Sequence, residues 1–333
     1  MALARHAHEL IHWHRSRSLG TVPDTPQVWT GTDPPAALWH DRAVGKEGTF
    51  TTADGLELAY LEVGDPEGSP VLYHHGTPGS RLEHHPDEGV YLDRGIRWIA
   101  YDRPGYGRSS RDPDRRVASA ATYAGALADH LGLERFGLMG VSGGGPHTLA
   151  CAALLANRVT RAAVLVGAAP SDDPAFDFLE GMAEVNLEEF GAAVEGKEAI
   201  TALLDPQVET IRSEPDELLD AIASELPAPD QAMLARPEVR AIVRDSFVES
   251  VRQGSGGWVD DDLAFAKAWG FELADVPTEV RLWQGDLDVL VPRSHAEYQA
   301  AHLPRAEFEL VPNAGHLLLD HWPDALDWLL GGS

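Results

Sequence analysis

The stretch FGLMGVSGGGPHTLACAALL, residues 136–155, constrains this chain more than any other. Its first six residues are apolar or glycine and predict a short buried strand. The alanine-rich segment after the glycines has no β-branched run and predicts a core-facing helix. Between them stands Gly140-Val141-Ser142-Gly143-Gly144. A serine at such a strand-to-helix turn needs small neighbours, because its backbone is strained and its Oγ must stand clear at the carboxyl end of a sheet. A bare G-x-S-x-G is common by chance, and its plain reading is a glycine-rich helix start beside a loop. The flanking strand and helix patterns are what single this one out.

The segments around it fit the same architecture. Residues 50–52 and 56–63 alternate like two antiparallel strands about an Asp54-Gly55 turn. Residues 71–74, 96–101, 136–141 and 162–166 predict buried strands, and 118–131 a helix, which together imply a parallel sheet wrapped on both faces. The loop His75-Gly76-Thr77-Pro78-Gly79 follows one of these strands. A serine attacking a carbonyl builds negative charge on oxygen, so two N–H groups must already point there. Gly143, directly after the serine, and Thr77 are the candidate donors; the plainer reading of Thr77 is an ordinary turn residue, and His75 is expected only to fix the loop. Asp102-Arg103-Pro104-Gly105-Tyr106-Gly107-Arg108-Ser109 specifies a rigid loop and is assigned a structural role.

These motifs, with GDLD at residues 285–288 and AGH at 314–316, resemble the α/β-hydrolase superfamily in its cap-carrying group, over roughly residues 48–330. The resemblance implies an α/β fold with a mostly parallel central sheet flanked by helices, and chain order Ser, acid, His. It implies a core of residues 46–169 and 271–333, with residues 170–270 as a helical cap. Within the cap, 176–190, 216–226 and 239–251 have apolar residues at helical spacing, with breaks at Pro206, Pro215, Pro227, Pro229, Pro237 and 254–257. Trp258, Phe265, Trp269 and Phe271 mark the return to the core, either lining an acyl pocket or simply packing. His316 follows the last predicted strand, 307–311, in a glycine-preceded loop and is the candidate base; among fifteen histidines only its position selects it. Asp286 and Asp288 both follow the strand ending near Gln284. Asp288 matches the Gly-x-x-Asp arrangement of the resembled family and is the expected triad acid.

The expectation is therefore a Ser142-His316-Asp288 serine hydrolase with Thr77 and Gly143 as oxyanion donors, acting on an ester through an acyl-enzyme without cofactor or metal. One alternative is an aminopeptidase of proline-iminopeptidase type, with Glu184, Glu188 and Glu189 holding a free amine. Others are a cofactor-free lyase or a binding protein on the same scaffold. The substrate is expected to be a small molecule. A formal charge of −27 argues against nucleic acid or an anionic membrane as partner, since both would be repelled at long range. The sequence leaves the oligomeric state open. The single cysteine, Cys151, lies in the apolar helix after the serine and reads as a core residue. No segment has the apolar length of a membrane span or the stretch of a signal peptide, so the expected location is cytoplasmic.

Residues 1–45 are rich in His, Trp, Pro and Arg and predict an appendage. They hold His8-Glu9-Leu10-Ile11-His12, the H-E-x-x-H spacing of zinc hydrolases, with His6 and His14 as further donors. A zinc protease needs a folded domain before that helix and a third ligand after it, so the cluster is set aside as a catalytic centre.

Overall fold

The structure, a computed structural model, describes residues 45–332. The predicted appendage and its histidine cluster lie outside the described residues. Eight strands form one sheet: β1 (Lys46–Thr51), β2 (Glu57–Gly64), β3 (Ser69–His74), β4 (Ile96–Tyr101), β5 (Phe136–Val141), β6 (Val159–Leu165), β7 (Val280–Gly285) and β8 (Ala306–Val311). Their order is β1-β2-β4-β3-β5-β6-β7-β8. β2 runs antiparallel to both β1 and β4, and every other pairing is parallel.

Parallel strands are buried on both faces and so read as continuous apolar runs. Alternate residues serve different cores. Leu72, Ile99 and Leu138 face a cluster with Leu127 and Leu149, from helices α1 (Ala120–His130) and α2 (Gly144–Leu154). Val71, Tyr73, Trp98 and Met139 face the opposite cluster with Trp322 and Leu326. Cys151 is fully buried in the first of these, and burial pushes its thiol up.

Between β6 and β7 the chain inserts helices α3 (Glu184–Glu195), α4 (Lys197–Ser213), α5 (Pro215–Glu225), α6 (Ala228–Leu234), α7 (Pro237–Ser250) and α8 (Gly256–Phe265). The helix expected over 176–190 begins only at Glu184, because Gly181 takes a left-handed φ of 83°. Phe178 and Met182 pack instead with Ala168 and Val291. α4 runs straight through Pro206, which the sequence marks as a break. Its Ile200, Leu204, Val208 and Ile211 are all buried. At about 1.5–3 kcal/mol each, they outweigh the ~3 kcal/mol an interior proline costs. Helices α9 (Arg293–His302) and α10 (Trp322–Leu329) follow β7 and β8.

Candidate active site

β5 ends at Val141, and Ser142 takes φ 54°, the left-handed region that a residue with a side chain occupies only under strain. Its N–H donates to the Leu165 carbonyl (3.0 Å), and its own carbonyl accepts the Gly145 N–H (2.9 Å). The turn depends on glycine: a Cβ on Gly144 would overlap the His74 carbonyl oxygen, and one on Gly143 would overlap Thr77 Oγ1. Ser142 is half-buried, and its Oγ makes no hydrogen bond among the described residues. Catalytic hydrogen bonds commonly tighten only when substrate binds.

His316 follows β8 and Asp288 follows β7, so both emerge at the same carboxyl edge of the parallel sheet as Ser142. His316 Nδ1 lies 2.9 Å from Asp288 Oδ2, and both side chains are buried. The other Asp288 oxygen accepts the N–H groups of Leu290 (2.9 Å) and Val291 (3.0 Å), and the Gln284 amide donates to Oδ2 (3.0 Å). Asp288 is thus fixed before it meets the imidazole. Asp286 is exposed, and its carboxylate accepts the Ala314 N–H at 3.3 Å. Burial opposes a charged His316 ring, but Asp288, by charge and hydrogen bond, then Asp230 and Glu83 by charge, hold it above the ordinary imidazole value.

On the other side of Ser142 lies the HGTPG loop, with a cis Thr77–Pro78 peptide. The N–H groups of Thr77 and Gly143 have no acceptor among the described residues. The Thr77 hydroxyl is committed elsewhere: it donates to Asp261 (3.2 Å) and accepts from Arg103 (2.9 Å). Any oxyanion contact from Thr77 is therefore through its backbone. His75 Nδ1 faces the Gly76 carbonyl (2.8 Å) while Nε2 accepts the Arg103 N–H (3.2 Å), which suits the neutral ring and a loop-fixing role.

Three groups that the sequence did not single out hold this site. Arg103, fully buried, donates to the carbonyls of His75 and Gly76 and pairs with Asp261 of α8 at 2.6 Å. Burial opposes the Asp261 charge, yet Arg103 and Arg115 hold its carboxyl well below the usual range. Asp230 of α6, also buried, accepts the N–H groups of His316 (2.9 Å) and Leu317 (2.8 Å). Glu83 Oε2 accepts the Tyr73 hydroxyl (2.7 Å) and the Gly76 N–H (2.9 Å). The only signal for Arg103 was its place in the rigid DRPGYGRS loop. Asp230 and Glu83 sit in polar segments without any motif.

Of the four aromatic candidates, Phe265 reaches the turn: its Cζ lies 3.3 Å from where a Gly143 Cβ would stand. Trp269 packs with Phe271 in the core beneath, and Trp258 donates to Glu189 (2.7 Å). Glu184 and Glu188 are exposed whereas Glu189 is buried, so these three acids do not converge. Two surface clefts of about 410 Å³ each lie elsewhere, one beside Arg111 and Lys197 and one beside Asp129 and Arg158. Among the described residues no helix is long and apolar enough to cross a membrane.

Comparison with known proteins agrees with this architecture. A non-heme chloroperoxidase of Streptomyces lividans is 36% identical over 37% of this chain and 45% of its own length. An uncharacterized hydrolase of Bacillus subtilis is 25% identical over 80% of this chain and 90% of its own. The chain thus matches less than half the length of the first relative and most of the second. The crystal structure of a hydrolase from Pseudomonas aeruginosa superposes with a TM-score of 0.64 at 20% identity, covering 86% of this chain and 99% of that one. The family model for the alpha/beta hydrolase fold matches residues 69–321, and with the sheet order and the serine turn this makes the chain a member of the α/β-hydrolase family.

Proposed function

We propose that the protein is a serine hydrolase that cleaves carboxylic esters through an acyl-enzyme, with Ser142, His316 and Asp288 as its triad. The observation that carries the reading is the left-handed Ser142 at the end of β5, at the same sheet edge as a buried His316–Asp288 pair. Asp288 on Nδ1 fixes the tautomer that leaves Nε2 free to take the Ser142 proton and stabilises the ring once it is charged. Ser142 Oγ attacks the ester carbonyl, and the N–H groups of Thr77 and Gly143 receive the oxyanion. His316 returns the proton to the departing alcohol; water, activated by the same ring, then releases the acid. No cofactor takes part. Residues 170–270 act as the cap over a core of 46–169 and 271–333, and Phe265 is the cap aromatic that reaches the serine turn. A small uncharged ester is the substrate class this reading favours over an aminopeptide, because the three glutamates of that alternative do not converge.

Ser142 in the intact chain should react covalently with a fluorophosphonate probe, and Ser142→Ala should abolish labelling. Labelling that persists in a folded Ser142→Ala variant would sink the triad. A wild-type chain that stays unlabelled would point to the lyase or binding-protein alternatives.

A further inference from the structure

Glu83 is not part of the proposed triad, yet its carboxyl group borders the same open space as Ser142. The position that a Cβ on Gly76 would take has Ser142 Cβ at 3.8 Å, Glu83 Oε1 at 3.9 Å and the Val141 carbonyl oxygen at 3.9 Å as its nearest neighbours. Glu83 and His316 also interact through their charges. The two carboxyl oxygens differ. Oε2 is saturated by the Tyr73 hydroxyl and the Gly76 N–H, which lock the orientation of the group. Oε1 has no hydrogen-bond partner among the described residues, and the side chain is only half-buried. A carboxylate fixed through one oxygen presents the other as a preorganised acceptor, with little ordering left to lose on binding.

We propose that Glu83 is a specificity-determining residue whose Oε1 accepts a hydrogen bond from a substrate hydroxyl near the scissile carbonyl and excludes substrates that carry a carboxylate there. The inference rests on the serine-hydrolase reading. A hydroxyl finds an acceptor in place, whereas an anion meets a like charge at short range and leaves Oε1 unpaired.

The test compares ethyl hexanoate, ethyl 3-hydroxyhexanoate and ethyl 3-carboxyhexanoate, which carry hydrogen, hydroxyl and carboxylate on the same carbon, with the full chain at alkaline pH. Wild type should turn over the hydroxy ester best and the carboxy ester worst by kcat/KM. Like-charge juxtaposition across an interface is costly enough that Glu83→Gln should raise the carboxy-ester-to-hexanoate ratio by about tenfold or more. Glutamine keeps an oxygen for the Tyr73 and Gly76 donors, so the ratio, and not the absolute rate, is the readout. The wild-type discrimination should also persist at about 0.5 M salt, where repulsion by the chain's overall negative charge is screened. This second measurement needs no variant. An unchanged ratio in Glu83→Gln, or discrimination that disappears in salt, overturns the role of Glu83 alone. A wild-type chain that hydrolyses none of the three esters and takes no fluorophosphonate label overturns the hydrolase reading and this inference with it.

Discussion

Two aspartates two residues apart in GDLD receive different surroundings from the fold. Asp288 is buried, held by three donors, and 2.9 Å from His316 Nδ1, while Asp286 is an exposed turn acid bonded to Ala314. If Asp288 orients the imidazole, Asp288→Asn presents the wrong partner to Nδ1 and should lower kcat by on the order of 10⁴ with folding kept, as the same change does in a serine protease triad. Asp286→Asn should cost at most a few-fold, with any damage seen in the thermal midpoint. An active Asp288→Asn beside a dead but folded Asp286→Asn would reverse the assignment. At this scale the sequence was informative where a motif demands special backbone or order: Ser142 among its glycines, His316 closing AGH, Asp288 three residues past Gly285. It was silent on Glu83 and Asp230: Asp230 bonds a loop far along the chain, Glu83 folds back on Tyr73 and Gly76, and a lone acid in a polar segment carries no pattern.

The short helix α6 contributes to the site through a single side chain. Asp230 in its first turn accepts the N–H groups of His316 and Leu317, and a Cβ on Gly315 would overlap its carboxylate. The insertion therefore holds the histidine loop directly. It also places a negative charge near the His316 ring, on the same side of the balance as Asp288 and Glu83. Asp230→Asn removes that charge and turns an N–H donor toward a backbone donor, a mismatch costing about 1–3 kcal/mol. The predicted result is a lower thermal midpoint and an acid limb of kcat/KM displaced to lower pH, since the His316 ring then loses its proton more readily. An unmoved acid limb would mean that Asp230 serves packing only. Strands and flanking helices were legible here because their periodicities and turn residues are local. In the insertion the helices expected over 216–226 and 239–251 are present as α5 and α7, whereas α4 overrides Pro206 by burying four aliphatic side chains, and Gly181 delays a helix that the apolar pattern starts earlier.

Across the whole molecule, 53 acidic against 26 basic residues suggest a chain that acid should stabilise by relieving repulsion. The buried histidines argue the reverse. His74, His75, His147 and His295 are all buried, and burial lowers each ring below the ordinary value, to about 4 for His147 and His295 and well below it for the other two. Folded, these rings stay neutral; unfolded, they take up protons near pH 6.5. From about pH 6.5 down to about 4 the unfolded chain therefore binds more protons at these four sites, and their contribution to stability falls with pH there. Glu189 and Asp262 oppose this. Burial raises the Glu189 carboxyl to about 7 and Asp262 in the same direction, so this neighbouring pair holds protons in the folded state. The raised His316 ring works the same way, its contribution being complete at acid pH and lost as pH rises through its folded value. Glu83 and Asp102 are raised by burial as well, and His85 is lowered, so five groups stand on each side and the balance is read from a variant, in about 0.3 M salt so that the net charge is screened. Between about pH 6.5 and about pH 4 the thermal midpoint of a Glu189→Gln, Asp262→Asn double variant is predicted to fall more steeply than that of the wild type, since the variant lacks two of the opposing protons. Equal slopes in the two chains would mean that this pair holds no protons in the folded state.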